Sequence, residues 1–219
     1  MKTTPLKISV SESIGSVSAE LVSPENPKAI LALAHGAGAG MNHPFMKSMA
    51  NELSTLGLAS LRFNFPFAEQ KKSRPDFPAV AHKTVEAAMN KAHELFPTIP
   101  VFASGKSFGG RMSSQHLSTH NIDFVKGIIF FGFPLHQAGN PSTERAEHLK
   151  TVEVPMFFLQ GTKDALADWN LIEKVTSELP LATLFKIEGA DHSFKKGKEN
   201  LIPLLASEVN GWVSKKLNQ

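Results

Sequence analysis

The stretch Gly105-Lys106-Ser107-Phe108-Gly109 decides how the rest of the chain is read. It follows an apolar run, Pro100-Val101-Phe102-Ala103, and precedes a helical segment opening at Gly110-Arg111-Met112. Strand, glycine-bracketed turn and helix is the setting of a Gly-x-Ser-x-Gly elbow, where a serine hydroxyl stands out from a strained turn. The glycines answer a steric demand, since a side chain at either flank would meet the neighbouring strand or helix. Ser107 is the candidate nucleophile. Two other readings compete for it. Gly105-Lys106-Ser107 also closes a Walker A phosphate loop, but that motif needs a glycine where Pro100 stands, and Val101-Phe102-Ala103 reads as strand. The blander reading is an ordinary turn serine.

Working outward from the elbow, the chain alternates strand and helix. Upstream, Ala29-Ile30-Leu31-Ala32-Leu33-Ala34 is continuously apolar, as a strand buried on both faces must be, and it opens into His35-Gly36-Ala37-Gly38-Ala39-Gly40. A helix is predicted from Pro44 to Leu56, with Phe45, Met46, Met49, Ala50 and Leu53 on one stripe and Gly57 as its stop. Ala59 to Phe65 reads as a strand ended by Pro66, and Phe67 to Arg74 as a polar, basic loop. Asp76 is the expected cap of a helix whose inner stripe is Ala81, Val85, Ala88, Ala92 and Leu95. Before all of these, Lys7 to Val22 alternates apolar and polar residues, as an antiparallel pair at a sheet edge does.

Downstream, Val125 to Phe131 and Met156 to Gln160 are further apolar strands. Leu135 to Glu153 between them is rich in turn formers, with at most a short helix near Thr143–Leu149. A helix from Asp168 to Leu179, a strand from Thr183 to Ile187 and a last helix from about Asn200 complete the series; Pro203 falls in that helix's first turn, where proline is tolerated. This rhythm predicts an α/β fold with a mostly parallel central sheet, helices on both faces and no large cap domain. No linker divides residues 1–219, so a single domain is expected.

Bulk properties agree and exclude several function classes. The chain has 219 residues, 42% hydrophobic and 20% charged, the proportions of an ordinary globular protein. Its net charge of +3 comes from scattered basic residues, which do not predict a nucleic-acid partner. There are no cysteines, which removes thiolate nucleophiles and disulfides. Met1-Lys2-Thr3-Thr4-Pro5-Leu6 lacks a secretory apolar region, and no apolar run approaches the roughly 20 residues of a membrane helix. A cytoplasmic protein without a membrane partner is expected.

In parallel sheets, sites gather at the carboxyl ends of strands. His35, Ser107, Asp164 and His192 all fall there. A serine hydroxyl needs a base, and an imidazole serves best when a carboxylate holds its tautomer. Asp168 is the rival acid and reads instead as a helix N-cap; Asp191 reads as a turn former. The chain resembles the alpha/beta hydrolases from about residue 28 onward. The motifs that carry this are His35-Gly36-Ala37-Gly38, the elbow, Gln160-Gly161-Thr162-Lys163-Asp164 and Gly189-Ala190-Asp191-His192-Ser193. Arg62-Phe63-Asn64-Phe65-Pro66 is similar to small dienelactone-hydrolase-like members. With Phe133-Pro134-Leu135-His136, the combination most resembles the cap-less branch related to NSL-complex-subunit and testis-expressed hydrolase-like domains.

That resemblance implies a serine hydrolase cleaving carboxylic esters or thioesters of a small-molecule acyl substrate. Ser107 would be the nucleophile, His192 the base and Asp164 the orienting acid. The backbone N–H groups of Ala37 and Phe108 would form the oxyanion hole. The alternative is a hydrolase-fold interaction module with little turnover. No metal-ligand spacing appears among the nine histidines, and neither metal nor cofactor is expected. His35 reads as a brace for the glycine loop. His43, His82, His93, His116, His120 and His148 read as exposed helix residues, and His136 as undecided. Phe65, Phe67, Phe108 and Phe133 are placed to reach a ligand. Lys106 either favours an anionic substrate or points to solvent, and the second is the expectation.

Overall fold

The computed structural model describes residues 1–218. Eight strands form one sheet in the order β1-β2-β4-β3-β5-β6-β7-β8. They are β1 (Lys2–Ser11), β2 (Gly15–Ser23), β3 (Ala29–Ala34), β4 (Leu58–Phe63), β5 (Val101–Lys106), β6 (Val125–Phe131), β7 (Met156–Gly161) and β8 (Ala182–Ile187). The pair β1–β2 and the contact of β2 with β4 are antiparallel. Every other neighbour is parallel. Chain direction along the sheet reverses at β3, which lies between β4 and β5. The crevice beyond the ends of β3 and β5 is therefore the switch point where such sheets place their sites.

The apolar run of β3 is explained by the two layers it separates. Ile30, Ala32 and Ala34 face one hydrophobic cluster, while Ala29, Leu31 and Leu33 face the other. Helices α3 (Pro78–Leu95), α4 (Phe108–Leu117) and α5 (Trp169–Ser177) cover the first face through Ala81, Val85, Met112 and Ile172. Helices α1 (Pro44–Thr55) and α6 (Ile202–Leu217) cover the second through Met49, Leu53, Leu205 and Val209. The inner stripes at spacings of three and four are the predicted ones. Pro44 opens α1 and Pro203 lies in the first turn of α6, where a missing N–H is no loss. Among the described residues no helix is long and apolar enough to cross a membrane.

Several local expectations are corrected. β4 ends at Phe63, and the chain turns at Pro66 into a short helix α2 (Pro66–Glu69) where a polar loop was expected. Phe67 is buried, so its apolar ring draws the start of that segment inward. Asp76 does not cap α3, whose N-cap position is Phe77. Its Oδ2 instead accepts the Phe67 N–H at 2.9 Å and ties α2 to the segment before α3. The short helix after Leu135 is a 3-10 segment, Glu144–Thr151.

The histidine pattern also differs from expectation. His43 and His120 are exposed, but His116 is buried and His82, His93 and His148 are half-buried between α3, α4 and the 3-10 segment. Periodicity missed this because α4 is buried on nearly every side, so helical spacing no longer marks an outer face.

Buried imidazoles make stability depend on acid. Burial pushes His35 down to about 4, and burial with neighbouring positive charge does the same to His116 and His148. An unfolded chain takes up these protons near pH 6.5, and the folded chain only near 4. It therefore binds more protons unfolded, and stability must decline as pH falls through that window. His35 alone accounts for on the order of 3 kcal/mol. Urea unfolding at pH 7, 5.5 and 4.5 should show a progressive fall in midpoint. His116→Leu, which removes ring nitrogens that are buried without partners, should shrink that fall without lowering stability at pH 7.

Candidate active site

β5 runs straight into α4 with only Ser107 between them. Ser107 has φ 51° and ψ −115°, a backbone region that L-residues avoid. The turn survives because its flanks are bare. A Cβ on Gly105 would stand 2.4 Å from the Gly110 nitrogen, and one on Gly109 would stand 2.7 Å from the Ala34 backbone. The Ser107 N–H donates to the Phe131 carbonyl at 3.2 Å, and its own carbonyl accepts from Arg111 in the first turn of α4. The hydroxyl is thereby thrown out beyond the sheet.

Three strand ends converge on it. His192, in the loop after β8, places Nε2 at 2.8 Å from Ser107 Oγ. Its Nδ1 lies 2.7 Å from Asp164 Oδ2, from the loop after β7. A carboxylate can only accept, so Nδ1 carries the proton and Nε2 is free to accept from the serine. The Asp164 side chain is 1% exposed. Its Oδ2 also accepts from Gln160 Nε2 at 2.6 Å, and its Oδ1 accepts the Leu166 N–H at 2.8 Å. Gln160 in turn accepts the Phe133 N–H, locking β7 to the end of β6. No role was read for Gln160 from sequence; a polar amide closing the apolar run Met156-Phe157-Phe158-Leu159 was the available signal.

The rival acids have other duties. Asp168 caps α5 by accepting the Leu171 N–H at 3.1 Å. Asp191 Oδ1 accepts from Ser193 and Lys195, shaping the turn behind His192.

The glycine loop after β3 forms the opposite wall. His35 is fully buried, with Nδ1 2.8 Å from the Gly36 carbonyl and Nε2 accepting the Phe65 N–H at 3.1 Å. It braces the loop, as expected. Arg62 donates to the Met41 carbonyl and pairs with Glu20 across β2 and β4, while Asn64 accepts the Met41 N–H at 2.7 Å. These groups explain why the strand-end sequence Arg62-Phe63-Asn64-Phe65 carries chemistry: it fastens the loop bearing Ala37. Ala37 borders Ser107 in the cleft, and Phe108 offers a backbone N–H at the start of α4, where helix donors have no internal partner.

The cleft holds about 360 Å³ and is lined by Ala37, Phe45, Met46, Leu166, His192 and Ser107, among others. A larger depression of about 550 Å³ between β1 and α3 contains no histidine beside its serines. The phenylalanine expectation is corrected here. Phe65, Phe67 and Phe133 are core, and Phe108 packs its ring against Phe65 and Phe67. Phe45, Met46 and Leu166 supply the apolar lining instead. His136 is also buried, accepting the Asp168 N–H through Nε2 and facing the Gln137 carbonyl with Nδ1.

Lys106 contradicts its expectation most clearly. It turns inward along the cleft wall, half-buried: Nζ donates to the His192 carbonyl at 2.5 Å and lies 5.2 Å from the Phe194 ring centroid. Burial pushes its ammonium down to about 8, against the pull of Asp164 and Asp191.

Comparison with known proteins places this chain in a family. The profile described as an alpha/beta hydrolase domain matches residues 27–202. A dienelactone hydrolase from Anabaena variabilis superposes with a TM-score of 0.78 at 18% identity, over 98% of this chain and 97% of that one. A lid-less alpha/beta serine hydrolase from Xanthomonas campestris gives 0.73 at 18% identity, over 100% and 94%. The esterase domain of a Rhodothermus marinus protein gives 0.72 at 15% identity, over 98% and 99%. At such identities the likeness is one of fold.

The elbow's tolerance is directly measurable. Gly109→Ala would drive a methyl into the Ala34 backbone, which cannot yield, and should cost about 2 kcal/mol or more. Gly211→Ala, where a Cβ meets nothing within 4 Å, should be neutral or slightly stabilising in α6. Thermal melting of the two variants side by side checks the contrast.

Proposed function

The chain belongs to the alpha/beta hydrolase domain family, and on that premise we propose that it is a serine hydrolase that cleaves small esters or thioesters through a Ser107 acyl-enzyme. One observation carries this: the continuous chain Ser107 Oγ–His192 Nε2 and His192 Nδ1–Asp164 Oδ2, at 2.8 and 2.7 Å, at the head of the cleft.

In the reaction, His192 takes the hydroxyl proton as Ser107 Oγ attacks the acyl carbon. The charge that develops on the carbonyl oxygen is met by the N–H groups of Phe108 and Ala37, donors already fixed in place before the substrate arrives. Such a preorganised donor contributes on the order of 3 kcal/mol to the transition state. His192 then delivers its proton to the leaving oxygen or sulfur, and the acyl group stays on Ser107. A water, deprotonated by the same imidazole, attacks that ester, and the acid leaves as the serine is restored. Asp164 remains ionised throughout, holding the histidine tautomer and compensating the imidazolium. Three hydrogen bonds, from Gln160, the Leu166 N–H and His192, keep its carboxylate from rotating.

Cleft shape bears on substrate. None of residues 135–153 is among the cleft-lining residues, which supports a nucleophile presented without a cap. Phe45, Met46 and Leu166 suit a short acyl chain or a small aromatic leaving group.

A fluorophosphonate probe should label the native protein, and Ser107→Ala should abolish labelling while melting normally. Asp164→Asn should lower kcat on p-nitrophenyl esters by about 10³–10⁴ with little change in KM, because its effect is on tautomer and charge rather than on binding. A folded native protein that takes no label would point to the interaction-module reading instead.

A further inference from the structure

We propose that Lys106 is a positioning residue for the reaction: its half-buried side chain clamps the loop carrying His192 against the nucleophile strand, and its ammonium places a positive charge beside the His192–Asp164 pair. This rests on the roles assigned above to Ser107, His192 and Asp164. It adds to them a residue that touches no reacting atom.

The geometry is specific. Lys106 is the last residue of β5 and the immediate neighbour of Ser107. Its side chain turns across the cleft floor, the stem passing Gly36 and forming part of the lining. The Nζ then donates to the backbone carbonyl of His192 itself. One side chain thus joins the residue before the nucleophile to the residue that acts on it, although the two lie 86 positions apart. The ammonium sits against the Phe194 ring, which Phe45 stacks from its own side at 5.8 Å. Phe194 has φ 58°, a left-handed conformation that costs a bulky residue of order 1 kcal/mol or more and persists only where its surroundings hold it.

Gly132 completes the arrangement. A Cβ there would lie 3.3 Å from Lys106 Nζ, 3.5 Å from His192 Nδ1 and 3.6 Å from Asp164 Oδ2. The absent side chain lets lysine, imidazole and carboxylate gather around one point. Charged and titratable groups facing the ammonium are Asp164 from the loop after β7, and Asp191 and His192 from the loop after β8; His43 lies elsewhere in the cleft lining. Gly132, just after β6, and the Gly36 loop bring only backbone. Asp191 is already committed to the Ser193 and Lys195 N–H groups. Lys106 is therefore a cation placed to balance a buried carboxylate, with one of its three N–H donors committed to a carbonyl oxygen.

The charge has a predictable sign. A positive charge disfavours a second one developing beside it, so removing the cation should move the acid limb of activity to higher pH. The cation also titrates: its value near 8 means it is charged in neutral solution and lost in mild alkali.

The test measures the rate of fluorophosphonate labelling from pH 5.5 to 9.5, with kcat and KM on p-nitrophenyl butyrate, in native protein, Lys106→Met, Lys106→Gln and Lys106→Arg. Methionine keeps an apolar stem in the cleft wall but removes donor and charge. It should lower labelling and kcat about 10- to 100-fold, the range expected when a reacting group is misplaced by a fraction of an ångström to an ångström, with KM within about twofold. Its acid limb should move to higher pH, and the native decline above pH 8 should vanish. Glutamine should recover part of the rate but not the native acid limb. Arginine should restore the acid limb and extend activity into alkali, since guanidinium stays charged. Thermal melting of each variant separates these effects from unfolding.

Lys106→Met labelling within twofold of native, with an unshifted profile, would overturn the proposal. So would a pH-independent loss that tracks a lower melting temperature. A rise in KM confined to anionic esters, with kcat unchanged, would overturn it in favour of substrate recognition by Lys106. Absent labelling of native protein would instead defeat the assigned roles of Ser107 and His192.

Discussion

The close approach of the β5–α4 turn to its neighbours is the constraint on which this molecule depends. Strand and helix meet with a single residue between them, and that residue must take a positive φ. The turn is possible only because Gly105 abuts the backbone of Gly110, and Gly109 that of Ala34, with no side chain in either gap. The same contacts set the distance of α4 from the sheet. They also bring the end of β3 alongside, so the elbow's packing delivers the glycine loop to Ser107. Strain at Ser107 is thus held by the close packing of the sheet and helix layers.

The partners of the serine arrive by a second tight packing. Gly161 would place a Cβ 2.3 Å from the Ala190 carbonyl oxygen, so the loops after β7 and β8 lie nearly in contact. Asp164 and His192 ride on those loops. Gln160, buried in β7, bonds at once to Asp164 and to the Phe133 backbone, linking the acid to the strand beside the elbow. Buried polar groups of this kind are costly unless every bond is made. Here they are made, and they fix direction as well as position.

Polar side chains inside this fold consistently fasten loops. His35 holds Gly36 and Phe65, Arg62 and Asn64 hold Met41, His136 holds Asp168, and Lys106 holds His192. Except for His136, which lies in the loop after β6, each is a strand or strand-end residue bonded to loop backbone. Loops alone are soft; tied in this way they keep Ser107, His192 and Asp164 within hydrogen-bond reach of one another.

Sequence by itself determined the strand and helix order, the two-faced burial of β3 and the meaning of Gly105 to Gly109, because backbone periodicity and glycine sterics are local properties. It also placed Ser107, Asp164 and His192 at strand ends, and separated Asp164 from Asp168 by the capping chemistry of the latter. Tertiary structure alone decided where side chains point. Lys106 looked solvent-bound because a lysine beside an elbow has no local partner; its partner lies 86 residues away. Phe65, Phe67 and Phe133 looked like ligand contacts from their place at strand ends, but ring packing took them into the core and left the lining to Phe45, Met46 and Leu166. His116 looked exposed until α4 proved buried on nearly every side. Burial and long-range hydrogen bonding depend on how the layers close over one another, and no window of sequence contains that information.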